Sequence, residues 1–281
     1  MNKYKVRKIT KSALVKIILF IIVVIEIYPI FWMLTAALKQ PSEFVTKPAY
    51  ALPDGLYFKN FVDAWTRGNM GLFFKNSLIA TGISLVFIVI FSMTIGFACT
   101  KMRWKLRDLT KEFFVLGIMV PVATALLPLA QIYNKMGITN TRLCLILSYI
   151  AFGLSLSVFL VTGYMRSLSD EILEAAVIDG CGIYKMFIHI VVPLMKNAAV
   201  TVLVLQFFYK WNDLIFSMTF ISDTKLKTIQ TGLLYFSNEF GATNWGAIFA
   251  SVSMSVLPML VLYMVLNKTL IEGMTSGAVK G

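Results

Sequence analysis

Long apolar runs alternate with short polar segments along this 281-residue chain. A helix needs about 20 predominantly apolar residues to cross a bilayer, and six runs are that long or longer. The pattern therefore predicts an all-α, polytopic membrane protein with six transmembrane helices. The predicted spans are residues 13–38, 76–100, 113–134, 143–165, 194–222 and 245–267.

The polar segments divide the chain further. Residues 1–12 form a basic N-terminal segment, residues 13–272 carry the spans, and residues 273–281 form a tail. Residues 39–75 contain three prolines, which predicts an external loop with little regular structure. Residues 223–244 are predicted as a second external loop.

The distribution of charge predicts the orientation in the membrane. The chain has 26 Lys plus Arg against 14 Asp plus Glu, and five basic residues each lie in residues 1–12 and 101–111. Short basic segments stay on the cytoplasmic side, so six spans place both termini in the cytoplasm. With 58% hydrophobic residues, the chain is a multi-pass protein of the cytoplasmic membrane and not a nucleic-acid binder.

Several kinds of chemistry have no motif in this sequence. It contains no Gly-rich phosphate loop ending in Gly-Lys-Ser or Gly-Lys-Thr, so this chain is not expected to bind and hydrolyse ATP by that route. The three cysteines show no pairing or metal-binding spacing, and the single histidine, His189, lies in a polar loop. We therefore expect no catalytic site, no metal site and no cofactor bound by this chain.

The polar loop of residues 166–196 is predicted to contain a short surface helix. Ser169 suits the N-cap, acidic residues follow in the first turns, and Gly180 suits the stop. A narrow apolar face suited to docking is expected opposite Glu174 and Asp179. Its members are Leu173, Ala176, Val177 and Gly180.

The loop also carries a recognisable motif, Glu174-Ala175-Ala176, then Asp179-Gly180, then Pro193 before the next apolar run. This motif resembles the cytoplasmic coupling loop of ABC importer permeases. The resemblance implies the type I ABC importer permease fold. It also implies that these six residues contact the ATPase through the loop of residues 169–193. The alternative from the residues alone is an amphipathic interfacial helix.

The resemblance extends over most of the chain. Tyr28-Pro29-Ile30-Phe31-Trp32, Gly137-Ile138-Thr139-Asn140-Thr141 and Trp211-Asn212-Asp213 are similar to segments of carbohydrate importer permeases. Residues 272–281 resemble the tail of the maltose-type second permease, which implies insertion between ATPase subunits. The tail residues expected at that contact are Gly273, Gly277, Lys280 and Gly281. Glycines there permit close backbone approach and unusual dihedral angles; a flexible terminus is the alternative.

Charged residues within the spans are the candidates for a substrate pathway. Lys210 and Asp213 lie about 24–29 Å along the fifth predicted span, where they could form an ion pair, serve the pathway, or both. Trp211 and Asn212 offer an aromatic face and an amide, which suit a sugar ring and its hydroxyls. Glu26 has no partner evident in the sequence. Prolines within the spans are expected to kink helices or line a cavity.

The sequence thus indicates the permease subunit of an ATP-driven importer that moves a sugar, expected to be a di- or oligosaccharide, inward by alternating access. The resemblance implies a second homologous permease, an ATPase dimer that holds ATP and Mg, and an extracellular solute-binding protein. The alternative is an autonomous ion-coupled carrier of a small polar solute, with Glu26, Lys210 and Asp213 as coupling residues. A membrane enzyme has no catalytic constellation behind it.

Overall fold

The computed structural model describes residues 3–240 and 244–278, which contain helices and no β-strand. Four of the helices are long and apolar enough to cross a membrane, and six spans result if each of two sharply bent helix pairs counts as one. The helices are α1 Lys3–Ala36, α2 Glu43–Thr46, α3 Lys59–Thr66, α4 Met70–Lys101, α5 Arg107–Ile118, α6 Val122–Lys135, α7 Arg142–Met165, α8 Asp170–Ile178, α9 Ile183–Met186, α10 Val192–Leu194, α11 Lys196–Trp211, α12 Ile215–Phe220, α13 Ile229–Phe240 and α14 Trp245–Ala278.

The third predicted span is broken into two helices. Instead of one helix over residues 113–134, α5 and α6 meet at an angle of 104°. Pro121 lies between them with an extended ψ of 130°. Proline lacks the N–H that a continuous helix needs and disfavours helical backbone at the preceding residue, which explains the break. Of the other prolines expected to kink spans, Pro29, Pro128 and Pro258 lie inside helices.

The fifth predicted span, residues 194–222, is also not one helix. The segment Ile183–Leu194 precedes α11 at an angle of 72°, and α11 ends at Trp211. The Asp213 carboxylate accepts hydrogen bonds from the backbone N–H groups of Phe216 and Ser217 at 3.2 and 3.1 Å. Asp213 therefore satisfies donors in the first turn of α12, where a continuous helix would have bonded them to its own carbonyls.

Both predicted external loops contain helices that the sequence analysis did not predict. Residues 39–75 include α2, α3 and the first turns of α4, and residues 223–244 include α13. The start of α13 is fixed by Ser77 of α4, whose hydroxyl oxygen accepts a hydrogen bond from the Ile229 N–H at 2.8 Å. This bond joins residues 152 positions apart, so local sequence gives no sign of it.

The chain forms two compact units. The first unit is Met1–Met70 with Leu233–Ser255, and the second is Gly71–Gly232 with Val256–Gly281. In the first unit, aromatic rings pack around Phe249, including Trp32 at 5.1 Å and Phe44 at 6.0 Å between centroids. The buried Asn60 amide donates to the carbonyls of Ala37 and Lys39, both at 2.8 Å, and so holds the turn after α1.

Glu43 organises the polar segment after α1. One carboxylate oxygen accepts the Gln40 N–H at 2.7 Å, and the other accepts the Asp54 N–H at 2.9 Å and the Lys47 ammonium at 3.2 Å. These donors favour the ionised form, so the pKa of Glu43 is lowered, mainly by the two backbone N–H groups. Lys47 also pairs with Asp54, and that hydrogen bond is the main cause of its raised pKa.

In the second unit, an apolar cluster joins the long helices α4 and α7 to the polar loop. It contains Phe97 of α4, Met165 of α7, and Leu173 and Ala176 of α8. The Lys101 ammonium at the end of α4 adds a polar contact, donating to the Leu168 carbonyl and the Asp170 carboxylate, both at 2.6 Å. The Lys101 side chain is only 7% exposed, so the start of α8 is fixed to the end of α4.

We expect Glu43→Gln to lower the free energy of unfolding by about 1–3 kcal/mol at pH 7, because charge-assisted hydrogen bonds are replaced by weaker ones. A lowered pKa means that the stabilisation is present above the unfolded pKa, near 4.5, and is lost as pH falls through the folded pKa. The difference between wild type and variant should therefore shrink in acid. Thermal unfolding of the purified chain at pH 7 and pH 4 measures it.

Asp108→Asn is the matched control, because Asp108 is 75% exposed and pairs with Arg107, whose side chain is 41% exposed. Its effect should be small at both pH values. An equal gap between wild type and Glu43→Gln at pH 7 and pH 4 would contradict the assigned role of the ionised carboxylate.

Lys101→Met should loosen the start of α8, because the Leu168 carbonyl and the Asp170 carboxylate lose their shared donor. We expect a local loss of about 1–2 kcal/mol, seen as roughly tenfold faster amide hydrogen exchange in residues 170–178. Lys101→Arg keeps the charge and should restore part of the protection. Lys105→Met, which removes an exposed lysine four residues away, is the control. Equal amide exchange rates of residues 170–178 in Lys101→Met and Lys105→Met would contradict the role of Lys101 in fixing the start of α8.

Candidate functional site

The helix predicted in the polar loop is α8, and its ends are as expected. The Ser169 hydroxyl oxygen accepts a hydrogen bond from the Glu171 N–H at 3.2 Å, which confirms the N-cap. At the other end Gly180 adopts φ +76°, the left-handed conformation that favours glycine. The Cys181 N–H then donates to the Ala176 carbonyl at 2.9 Å and closes the last turn. Helix α8 is therefore short because its sequence specifies both caps.

Only half of the apolar face predicted for docking is exposed on α8. Leu173 and Ala176 are 9% and 6% exposed, and both belong to the apolar cluster of this chain's own second unit. The prediction was therefore wrong for Leu173 and Ala176, because helical periodicity identifies an apolar face and not what covers it. Val177 and Gly180, the other two members of the predicted face, are exposed. Ala176 therefore packs α8 against the apolar cluster of this chain and does not form part of an exposed docking surface.

A different part of the loop presents apolar side chains to the outside. Val177, Ile178 and Tyr184 are 61%, 85% and 83% exposed, and we call these three residues the loop patch. Glu174, Ala175, Asp179 and Gly180 are also exposed. Of the motif residues in and directly after α8, only Ala176 is buried, and the others are exposed like the loop patch.

Pro193 and His189 lie in the second half of the loop. Between α9 and α10 the backbone forms a π-helical turn over Phe187–Val191. Exposed His189 lies in this turn, and its Nδ1 is 3.2 Å from the Lys185 carbonyl oxygen. Pro193 is exposed in α10, two residues before the break at Met195. Pro193 therefore marks the connection from the loop into α11.

The tail continues the last helix. The predicted span ends at residue 267, whereas α14 runs to Ala278 and includes Gly273 and Gly277. Its 34 residues correspond to roughly 51 Å, well beyond the ~30 Å thickness of the hydrocarbon core. The unusual dihedral angles expected at Gly273 and Gly277 are thus replaced by helical ones. Lys280 and Gly281 lie outside the described residues.

The predicted sugar platform at residues 211–213 is occupied by contacts within the protein. Trp211 is 1% exposed and packs between Phe207 and Phe74, each with ring centroids 5.3 Å away. Such a ring has no face free for a sugar, so this part of the prediction was wrong. Asn212 is exposed, donates to the Phe208 carbonyl at 3.0 Å and accepts from Gln230 at 3.2 Å.

Lys210 and Asp213 do not form the close ion pair that their spacing allows. No ion pair within 4 Å joins them in the part of the chain that the structure describes. Asp213 accepts a hydrogen bond from the Tyr149 hydroxyl at 2.8 Å in addition to its two backbone donors. The Lys210 ammonium lies 5.7 Å from the centroid of the Tyr149 ring. Both residues nevertheless face one cavity.

This cavity, which we call the Lys210 cavity, has a volume of about 300 Å³. It lies among α5, α6, α7, α11 and α12, and its polar lining includes Ser155, Gln206, Lys210 and Asp213. Ser155 and Gln206 were not predicted from the sequence. Gln206 lies four residues before Lys210 in an apolar helix, and this polar pair on one helical face was the available signal.

Comparison with known proteins identifies the family. Residues 88–275 match the family described as the binding-protein-dependent transport system inner membrane component. The probable ABC transporter permease protein YurM of Bacillus subtilis is 32% identical over 94% of this chain and 87% of its own length. The melibiose/raffinose/stachyose import permease protein MelC of the same organism is 32% identical over 97% and 98%.

A more distant relative and a crystal structure agree with this assignment. The diacetylchitobiose uptake system permease protein NgcG of Streptomyces coelicolor is 29% identical over 90% of this chain and 84% of its own. One chain in the crystal structure of a bacterial ABC transporter involved in import of the acidic polysaccharide alginate shares the fold, with a TM-score of 0.81. That match covers 95% of this chain and 98% of the other at 18% identity. This chain therefore belongs to the binding-protein-dependent transport family and is a sugar ABC importer permease subunit of the cytoplasmic membrane.

Proposed function

We propose that this permease moves a di- or oligosaccharide inward by alternating access, driven by an ATPase that docks on the loop patch. The observation that carries the proposal is the division of α8 into two faces. Leu173 and Ala176 are buried in the cluster with α4 and α7, whereas Val177 and Ile178 of α8 are exposed, as is Tyr184 of α9. A movement of the docked partner would thus reach the long helices through α8.

The chemistry of the loop patch favours a protein partner. Exposed apolar side chains beside polar groups are typical of protein interfaces. An aromatic side chain that becomes buried on binding, as exposed Tyr184 would in such an interface, often supplies much of the binding energy. Glu174 and Asp179 add negative charge at the rim. The partner surface should therefore offer an apolar groove with basic side chains at its edge.

The remaining subunits follow from the family. A second homologous permease completes the pathway, an extracellular solute-binding protein delivers the sugar, and the ATPase subunits hold ATP and Mg. In this arrangement both termini and the polar loop lie in the cytoplasm. The di- or oligosaccharide class is supported by the names of MelC and NgcG, which refer to melibiose, raffinose, stachyose and diacetylchitobiose.

The tail supplies a second contact in this proposal. Because α14 is longer than the membrane core, its last turns extend beyond the hydrocarbon, where they can reach a docked ATPase. Gly273 and Gly277 are four residues apart, so they lie on one helical face and allow close approach of another backbone. Lys280 and Gly281 would follow at the same seam.

An autonomous ion-coupled carrier is the other function considered. Membership in the binding-protein-dependent family argues against it, because such permeases form one part of a larger importer. Glu26, Lys210 and Asp213 then need no role as coupling residues.

Glu174→Lys should uncouple ATP hydrolysis from transport, because a reversed charge at the docking rim repels the basic partner surface. We expect sugar uptake to fall by about tenfold or more while insertion of the complex is unchanged. Uptake and ATP hydrolysis are measured together in vesicles containing the complete importer. Glu112→Lys, a reversal at an exposed position of α5, should transport normally. Normal uptake by Glu174→Lys at normal abundance would count against α8 as the docking element.

Gly180→Asp should cause the same defect, and Gly180→Asn separates the causes. No atom lies within 4 Å of a Cβ added at Gly180, so the position is open. Asn and Asp both tolerate positive φ better than other residues, and only Asp adds charge. A transport defect in Gly180→Asp but not in Gly180→Asn would indicate that the added charge disturbs docking. Equal defects in both variants would indicate backbone strain or side-chain size and would contradict a role of charge at this position.

Removal of residues 274–281 should lower uptake and stimulated ATP hydrolysis by several fold and leave insertion intact, because these residues follow the predicted span. Gly277→Trp keeps the length but blocks close approach, so it should reproduce much of the loss. Gly277→Ala, which favours a helix and adds one methyl group, is the control. If both the truncated chain and Gly277→Trp take up sugar at the parental rate, the tail does not contact the ATPase functionally and is only a solvated end.

A further inference from the structure

The Lys210 cavity contains a charge without a fixed anionic partner. Lys210 is 8% exposed, and no carboxylate lies within 4 Å of its ammonium among the residues described. Its recorded contact is the face of the Tyr149 ring at 5.7 Å. An ammonium group has three hydrogen-bond donors, and a charge at membrane depth is costly unless it faces protein or water. The donors of Lys210 are thus available to an occupant of the cavity.

Asp213 lines the same cavity but is already committed to other donors. Its two oxygens accept hydrogen bonds from the Tyr149 hydroxyl and from the N–H groups of Phe216 and Ser217. These bonds hold the carboxylate at the start of α12. The lining therefore combines one positive and one negative side chain, of which only the positive one lacks a hydrogen-bond partner.

We propose that the Lys210 cavity holds one uncharged pyranose ring of the transported sugar, with a ring hydroxyl accepting a hydrogen bond from the Lys210 ammonium. This inference rests on the proposed sugar import and names the subsite within this subunit. The cavity volume of about 300 Å³ lies at the lower end of the ~300–1,000 Å³ typical of ligand pockets, so it suits one ring of a longer saccharide.

The composition of the lining favours a neutral ring over an acidic one. Phe152 and Phe216, with ring centroids 5.2 Å apart, line the cavity and offer apolar surface to the face of a sugar. A hydroxyl can accept from Lys210 without bringing a new charge. An anionic group would also contact Lys210, but it would bring a second negative charge near Asp213.

The test uses vesicles with the complete importer and its binding protein, and the probes are melibiose, raffinose, diacetylchitobiose and a glucuronate-containing disaccharide. Lys210→Met removes the donor at similar length, Lys210→Arg retains a donor, and Lys225→Met is the control at an exposed lysine outside the cavity. With the binding protein saturated, uptake by Lys210→Met should fall on the order of tenfold, with partial rescue in Lys210→Arg.

Analogues lacking single ring hydroxyls separate recognition from structure. In wild type, one deoxy analogue of the transported sugar should lose about tenfold in uptake. The same analogue should lose little further in Lys210→Met, because its partner is already missing. If each deoxy analogue loses the same factor in both proteins, Lys210 has only a structural role and the inference fails.

Labelling provides a readout that does not depend on changing Lys210. Tyr209 lines the cavity and is 60% exposed, so Tyr209→Cys in a Cys181→Ser background should fold and react with a permeant thiol reagent. The transported sugar should slow labelling several fold during turnover, and an unchanged rate would overturn the inference.

The uptake assay distinguishes failure of the subsite from failure of the proposed function. If the wild-type importer moves none of the neutral or acidic sugars, the proposed function fails. If the wild-type importer moves one of these sugars and Lys210→Met takes it up at the same rate, the sugar subsite fails but the proposed function stands. A preference for the acidic disaccharide that Lys210→Met abolishes would replace the neutral ring with an anion site.

Discussion

The burial of one face of α8 in the apolar cluster is the interaction on which the functional arrangement depends. Leu173 and Ala176 share this cluster with Phe97 of α4 and Met165 of α7. Because protein interiors are close-packed and resist compression, displacement of α8 must displace the ends of the long helices with it. In the proposed function, a partner docked on the loop patch acts on the membrane region through this buried face.

The break between α5 and α6 and the interruption between α11 and α12 both border the Lys210 cavity within the second unit. Ile118, Val120 and Val122 line it beside Pro121, and Asp213 and Ile215 line it beside the interruption after α11. Broken backbone is tolerated at membrane depth only where protein or a water-filled space satisfies the exposed groups. Asp213 does this for the start of α12 through its contacts with Phe216 and Ser217. The same carboxylate thus stabilises the break and leaves Lys210 available to the cavity.

The apolar runs, the caps of α8 and the family motif could be predicted from the sequence, because each depends on neighbouring residues. Ser169 and Gly180 act through backbone groups two to five positions away. The docking face could not be predicted, since Leu173 and Val177 look equivalent in a helical repeat and differ only in what covers them. The start of α13 was missed for a related reason, because the bond from Ile229 to Ser77 joins distant parts of the chain.

Typical magnitudes indicate which contact holds the loop. Burial of a leucine side chain contributes about 1.5–3 kcal/mol, whereas an ion pair with an exposed carboxylate contributes about 0–1 kcal/mol. Asp170 is 75% exposed, so the ion pair of Lys101 is a minor source of stability beside Leu173. The bond from Lys101 to the Leu168 carbonyl differs, because it fixes the backbone direction at the entry to α8. Apolar packing therefore provides most of the holding energy, and Lys101 determines the orientation in which α8 presents the loop patch.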